Sequence, residues 1–378
     1  MTTLRSSFWL GLGAAFATGA AALCAHEVGV THEHPAADPG PPAVPLPTIV
    51  ETKGPIKAPK LKRYAAPHTS GQGYWKFIAM TELVPVPEEA KPFLKGAHGT
   101  LIVDTDRDIV YWGLEKVGWI AFSDKLTESR IVKGDPELAK GNLHGADLLR
   151  RPGQLPLVVA ADNVNGRVFL SDTTFQHVTT LGMPDGEPYA DKKGFAPTDA
   201  AFVNPSEVYV TDGYGKAYFM PAGTEPFKYE GPIYGGKTIS QTPHGITYDG
   251  HDKSLRVSAR PEAEIKRWSL ADRKWKEVEG LPPGSTVCDV DLWGDYALAP
   301  CLDGPSQSPG PIYIINFKKK AIVSTLRAKQ DLGFSEAQHI HDACWYLTGK
   351  GSKRELYVIF TNWNPGGIGA MKLVNVPD

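Results

Sequence analysis

The chain has 378 residues, a formal net charge of -2 and a pI near 6.6. That balance offers no general attraction to nucleic acid or to an anionic membrane, so neither partner is expected. The length suits one large domain, and 39 glycines with 32 prolines suit many turns rather than long helices.

Residues 1–25 read as a secretory signal. Arg5 gives a short positive region, residues 8–17 an apolar run, and residues 20–25 small side chains fit for cleavage. The run is rich in glycine and alanine and falls short of a full span. The expected location is therefore secreted or periplasmic, with no stable membrane insertion after cleavage. Lipid modification of Cys24 is disfavoured by Leu23, a poor small-residue match just before it. Residues 26–67 form a His- and Pro-rich linker, with His26, His32 and His34 ahead of a proline-rich stretch. An extended, semi-rigid tether with a solvated tail is expected there.

The remaining residues, 68–378, divide into short apolar or alternating runs bounded by Gly, Pro, Asn and Asp, the punctuation of strands. A strand over 74–80 stands alone. Pairs then follow over 108–112 and 118–122, 157–161 and 167–170, 208–211 and 216–219, 255–258 and 264–268, 296–299 and 311–315, and 356–360 and 371–374. Each pair is preceded by one local pattern: a small or turn residue, then His-Gly, His-Asp or a substitute, then an apolar strand. His98, His144, Thr198, His244, Cys288 and His341 hold the framed position, spaced by 46, 54, 46, 44 and 53 residues. A period of roughly 40–50 residues with short strands indicates propeller blades. The count predicts an all-β, six-bladed β-propeller. Its last repeat lacks one strand, which 74–80 supplies, closing the ring and removing exposed edges. No Trp-Asp dipeptide recurs at blade ends, which argues against a WD40 propeller.

In a blade the first strand lines the central channel and begins on the same face as the loop between strands two and three. The framed residues should therefore gather at one mouth, beside Tyr214, Arg260 and the loops 115–116, 162–163 and 362–364. His144, His244 and His341 stand on every second blade, 100 and 97 residues apart. Three neutral imidazoles meeting at one point leave an open coordination position, the arrangement of a catalytic zinc that polarises a bound oxygen. Copper, iron and nickel also accept imidazole. A single His beside Gly is ordinarily a turn residue or a satisfied buried ring, but four in equivalent places around a ring outweigh that reading. His98, Thr198 and Cys288, with Asp199 and Asp342, are expected to line the channel or support the ligands. Cys288 and Cys301 flank a hairpin centred on Gly294-Asp295 and are candidates for a cross-strand disulfide. The alternative leaves Cys288 as a free thiol facing the pore.

The stretch Phe195-Ala196-Pro197-Thr198-Asp199-Ala200, with Val208-Tyr209-Val210-Thr211-Asp212-Gly213-Tyr214, Pro243-His244-Gly245-Ile246 and Ser258-Ala259-Arg260, resembles the NHL-type propeller of the peptidylglycine alpha-amidating lyases. The blade frame of that family covers most of residues 98–375, and its specific motifs fall within 195–260. The resemblance implies six blades, a Zn2+ held by His144, His244 and His341, and a structural Ca2+ in the channel. It also implies cleavage of a carbinolamine, a peptidyl α-hydroxyglycine, into a peptide amide and glyoxylate. Tyr214 then matches a tyrosine acting as base or metal-proximal group, and Arg260 an arginine that binds the substrate carboxylate. The sequence departs from the family after Tyr214, where Gly215-Lys216-Ala217 replaces a Cys or Gly followed by Asn-Ser-Arg. A second family arginine has only Arg107 as a counterpart, and the fifth-blade loop over 302–310 is enlarged. These departures bear on the substrate more than on the fold or metal.

Three functions fit this pattern. The first is an exported, monomeric, metal-dependent lyase acting on a small hydroxylated amide or peptide terminus. A metal-dependent hydrolase or lactonase on the same scaffold is the second, and a non-catalytic NHL-like module binding protein or sugar the third. No Gly-x-Ser-x-Gly elbow, phosphate loop or dinucleotide fingerprint supports other chemistry.

Overall fold

Six sheets of short antiparallel strands surround a central channel, the six-bladed β-propeller predicted from the repeat. A computed structural model describes residues 40–52, 68–349 and 354–374. The expected signal segment, Cys24 and the His-rich stretch lie outside the described residues. Among the described residues no helix is long and apolar enough to cross a membrane.

The first strands of the blades are Thr100–Asp104, Leu143–Leu149, Asp199–Asn204, Pro243–Asp249, Asp291–Trp293 and Ile340–Thr348. Each contacts the first strand of the next blade, and the sixth contacts the first, so they form the closed inner wall. The seam is closed as expected: Trp75–Ala79 pairs antiparallel with Gly367–Val374, Ala79 opposite Met371 and Phe77 opposite Leu373.

Side chains alternate across a strand, and here both faces of every sheet are covered. Leu101 packs toward the sixth blade and its neighbour Ile102 toward the second. Val158 and Val159 divide in the same way between the first and third blades. Six apolar layers result, one between each pair of adjacent blades. Burying both faces explains why strands such as Tyr296–Pro300 and Ile312–Asn316 are apolar almost throughout. Each large side chain so buried contributes about 1.5–3 kcal/mol before conformational entropy is counted.

Residues 40–52 are an arm on the propeller rather than a free tether. Val44–Pro45 pairs in parallel with the outer edge of the fourth blade at Glu279 and Gly280, and Thr48 bridges Ile322 on the fifth. Glu51 is buried and accepts hydrogen bonds from Trp75 Nε1 (3.1 Å), Tyr296 Oη (2.9 Å), Asn316 Nδ2 (3.1 Å) and Lys319 Nζ (2.7 Å). Burial pushes its pKa up, but the bonds from Lys319, Trp75 and Tyr296 outweigh burial and hold the carboxyl below its ordinary 4.5. The linker expected over 26–67 therefore gives way, over 40–52, to a segment fastened by sheet edges and one carboxylate.

The expected Cys288–Cys301 disulfide is not formed: Cys288, Cys301 and Cys344 are free thiols. Val287, not Cys288, bridges Cys301. An offset of one residue sends neighbouring side chains to opposite faces. Cys301 enters the core between the fourth and fifth blades, and Cys288 faces the channel.

Candidate metal centre

The inner strands carry register shifts at three histidines, besides one between Phe202 and Asn204 at the outer end of the third blade's first strand. The pairing steps over His144 between Leu143 and Gly145, over His341 between Ile340 and Asp342, and over His244 and Gly245 between Pro243 and Ile246. A bulge adds a residue, bends the strand and re-aims its side chain. Gly follows His144 and His244 because the next blade presses against the strand there. A Cβ on Gly145 would lie 2.4 Å from Asp199 Oδ1 and from Thr198 O, and one on Gly245 2.5 Å from Asp289 Oδ1. At His144-Gly145 and His244-Gly245 the pair thus marks a bulge under a close approach of the next blade.

The bulged rings meet at the channel. The His144 ring centroid is 4.8 Å from His98, 4.7 Å from His244 and 4.6 Å from His341, and His98 is 5.0 Å from His341. Ring nitrogens of His98, His144 and His341 lie within 4.8 Å of one another, a group that could hold a metal ion. His244 adjoins this group, its ring 4.7 Å from His144 and 5.1 Å from His341, and differs in that its Nε2 accepts from Arg260 Nη2 and lies 3.1 Å from Tyr214 Oη. Two of the expected ligands are therefore gathered with His98, while His244 turns to the tyrosine and arginine.

Neighbouring backbone fixes the protons on two rings. His144 Nδ1 is 2.8 Å from Thr198 O, and His244 Nδ1 is 2.7 Å from Cys288 O. A carbonyl only accepts, so each Nδ1 donates and each Nε2 presents a lone pair, the usual way an outer contact prepares a ligating imidazole. Thr198 and Cys288 thus act through their carbonyls, as supports from the intervening blades. His341 differs again, being buried with neither nitrogen partnered. A buried polar group without a partner calls for a bound species, and a metal ion among neutral imidazoles fits that need.

All four rings resist protonation. Burial lowers His98 to about 3, with the charge of Arg260 adding to the effect. Burial first, then the neighbouring rings and Arg260, hold His144, His244 and His341 well below the ordinary 6.5.

Tyr214 and Arg260 sit against this cluster, as their loops predict. Arg260 Nη1 donates to Tyr214 Oη at 2.9 Å, Tyr214 Oη is 3.2 Å from His144 Nε2, and Arg260 Nη2 also reaches Cys288 Sγ at 3.4 Å. The guanidinium meets a phenol, an imidazole and a thiol, with no carboxylate among the described residues, and its Nε is buried without a partner. Trp363 stacks on His98 at 5.5 Å and also touches His339, which pairs with Asp303 of the enlarged fifth-blade loop at 3.2 Å. The hydrogen bond that His339 donates to the Asp303 carboxylate raises the His339 pKa. Arg107 is not part of the site: it donates to Thr173 and pairs with Asp104 on a hairpin of the first blade.

Asp199 and Asp342 lie one layer deeper, with Asp289. They share a void of about 10 Å³ with His144, His244 and His341, the size of a single water-sized sphere. Below it opens a cavity of about 660 Å³, also lined by Asp147, Asp291 and Trp293. Four of these carboxylates clasp one blade to the next. Asp147 accepts from Phe202 N, Asp199 from Ile246 N, Asp291 from Trp345 N and Asp342 from Leu101 N. Asp289 Oδ1 is buried without a partner.

One residue at the centre escaped sequence reasoning. Asn142 is buried and its Nδ2 lies 3.2 Å from His98 Nδ1. Its position two residues before His144 is the only local signal, and it acts on a ring 44 residues earlier.

No protein-family model matches this chain, and no curated protein matches it. Among solved structures, a chain from a crystal structure of a nidogen/laminin complex aligns with a TM-score of 0.51 at 14% identity, covering 75% of this chain and 100% of that one. The likeness is one of fold.

Proposed function

We propose that the protein is an exported, metal-dependent lyase that cleaves a carbinolamine of the peptidyl α-hydroxyglycine type at the upper mouth of the channel. The observation that carries this reading is the convergence of His98, His144 and His341 beside Tyr214 and a guanidinium that no carboxylate among the described residues neutralises. A metal held by those rings, zinc by ligand type, supplies Lewis-acid polarisation of the substrate hydroxyl. The calcium implied by the family resemblance would find oxygen donors deeper in the channel, at Asp199, Asp342 and the unpartnered Asp289 Oδ1.

The remaining chemistry belongs to the chain. Arg260, with its buried and unpartnered Nε, holds the substrate carboxylate and orients it. Tyr214 Oη lies between Arg260 Nη1 and His244 Nε2. It takes the proton of the substrate hydroxyl as its own passes to His244. The C–O bond becomes a carbonyl, the C–N bond breaks, and the leaving amide nitrogen takes the proton back through the same pair. Burial and Arg260 keep His244 neutral, so it releases that proton readily.

The test is incubation of the zinc-loaded protein with a synthetic peptidyl α-hydroxyglycine and measurement of glyoxylate. Tyr214→Phe and Arg260→Met should each lower kcat/KM by roughly 100-fold or more. A hydrolase using metal-bound hydroxide would tolerate Tyr214→Phe, and a non-catalytic binding propeller would release no glyoxylate at all. Either result overturns the proposal.

A further inference from the structure

His98 differs from the other members of the metal group in how its protons are set. Asn142, 1% exposed, donates from Nδ2 to His98 Nδ1 at 3.2 Å and to Asn163 Oδ1 at 3.0 Å, while its own Oδ1 is buried without a partner. Its backbone N–H is tied to Asp162 Oδ1 at 3.0 Å, which anchors the residue. A ring nitrogen that accepts a hydrogen bond carries no proton, so in the neutral imidazole the other nitrogen must carry it. Both nitrogens of His98 are therefore engaged: the Nδ1 lone pair by the amide and Nε2 by its proton. His144 is the opposite case, since its Nδ1 donates to Thr198 O and its Nε2 lone pair faces inward.

We infer that Asn142 is a positioning residue whose amide orientation decides whether His98 serves as a metal ligand. A half-turn of the amide places Oδ1 against Nδ1–H and exposes the Nε2 lone pair, while Nδ2 moves to the place where Oδ1 now has no partner. The amide of Asn163 turns in the same sense and donates where it now accepts. The ring proton moves from Nε2 to Nδ1 by exchange with water, which half-buried His98 can meet at the mouth. Stacking on Trp363, with ring planes 19° apart, holds the imidazole in place meanwhile. The site thus has two states, with His98 closed or open to a metal, and the amide selects between them. The consequence for metal binding rests on the metal reading above. The proton position in the metal-free protein does not.

The experiment uses the full chain with 15N-labelled histidine. Nitrogen NMR of the metal-free protein should show His98 protonated at Nε2, and zinc should move the proton to Nδ1. In a chelator competition, Asn142→Leu should weaken zinc binding by roughly 10–100-fold, the usual cost of losing such an outer contact. Asn142→Asp, whose carboxylate can only accept, should bind zinc at least as tightly as the wild type. Wild-type zinc affinity in Asn142→Leu, or Nδ1–H in the metal-free protein, overturns the inference. Should Asn142→Leu fail to fold, judged by its melting temperature, the wild-type spectra and Asn142→Asp decide alone. Absence of zinc uptake by the wild type overturns the metal reading itself, whereas failure of this inference leaves that uptake intact.

Discussion

The upper and lower halves of the channel are built from adjacent positions of the same chain. Thr198 and Asp199, Cys288 and Asp289, His341 and Asp342 each place one residue in the ring layer and the next in the carboxylate layer. The upper layer faces the axis with lone pairs prepared by neighbouring carbonyls; the lower turns most of its oxygens to backbone N–H groups of the next blade. The lower layer is thus a fastening between blades, and the upper layer spends that rigidity on placing rings. The two also answer pH in opposite directions. A histidine held below 6.5 takes up a proton when the chain unfolds, so its stability contribution is present above 6.5 and lost as pH falls toward the folded value. Burial raises Asp289 to about 6 and Asp291 to about 7 from 3.8. These hold protons in the fold that the unfolded chain releases, so their contribution is present below 3.8 and lost as pH rises through the folded values.

The largest effects are expected at the rings. His341→Ala should remove metal retention, with a loss in zinc affinity above roughly 100-fold, whereas His244→Ala should cost only a few-fold, because Arg260 and Tyr214 occupy its Nε2. Mass-spectrometric metal content of the two proteins checks this, and equal losses would return His244 to the ligand set. In the metal-free protein, Asp289→Asn removes one of the opposing carboxylates. Its stability should therefore fall more steeply than the wild type as pH drops from 6.5 toward 3.8, at up to about 1.4 kcal/mol more per pH unit. Urea midpoints across that range decide, and parallel curves would remove Asp289 from the balance.

Outside the channel the expected effects depend on how many partners are left unsatisfied. Glu51→Ala strands Trp75 Nε1, Tyr296 Oη and Asn316 Nδ2, and should destabilise by about 2–3 kcal/mol at neutral pH. Because the folded carboxyl lies below 4.5, its contribution is present above 4.5 and is lost as pH falls through the folded value. The difference between the mutant and wild-type urea midpoints should shrink accordingly. A smaller effect is expected at Arg107, a partly exposed cation beside the buried Asp104 carboxylate. Arg107→Ala should cost about 1–2 kcal/mol and leave zinc content unchanged; altered metal retention would place it back at the site.

The blade frame was legible because a His-Gly, His-Asp or substitute pair recurs at or just before each inner strand, and the closing strand because 74–80 had no sheet of its own. The gathering of Tyr214 and Arg260 at one mouth followed from topology alone. The membership of the ring cluster was not legible, since spacing by alternate blades says nothing about which Nε2 another side chain already occupies. Arg260 contacts that nitrogen in His244, and Asn142 contacts a ring nitrogen of His98, both across blade boundaries. The cysteine pairing failed for a one-residue reason: Val287 rather than Cys288 stands opposite Cys301. Residues 40–52 read as a linker because prolines dominate their composition, while their attachment depends on Leu46, Glu51 and edges supplied by distant strands.

That arm gives the molecule a mechanical property. Val44–Pro45 lies parallel to the fourth-blade edge, Thr48 bridges the fifth, and Glu51 grips both Tyr296 of the fifth blade and Trp75 of the closing strand. Tension applied from the N-terminal side must shear these attachments in turn before it reaches Trp75–Ala79. The seam on which the whole ring depends is thus shielded from load by a segment that takes no part in its chemistry.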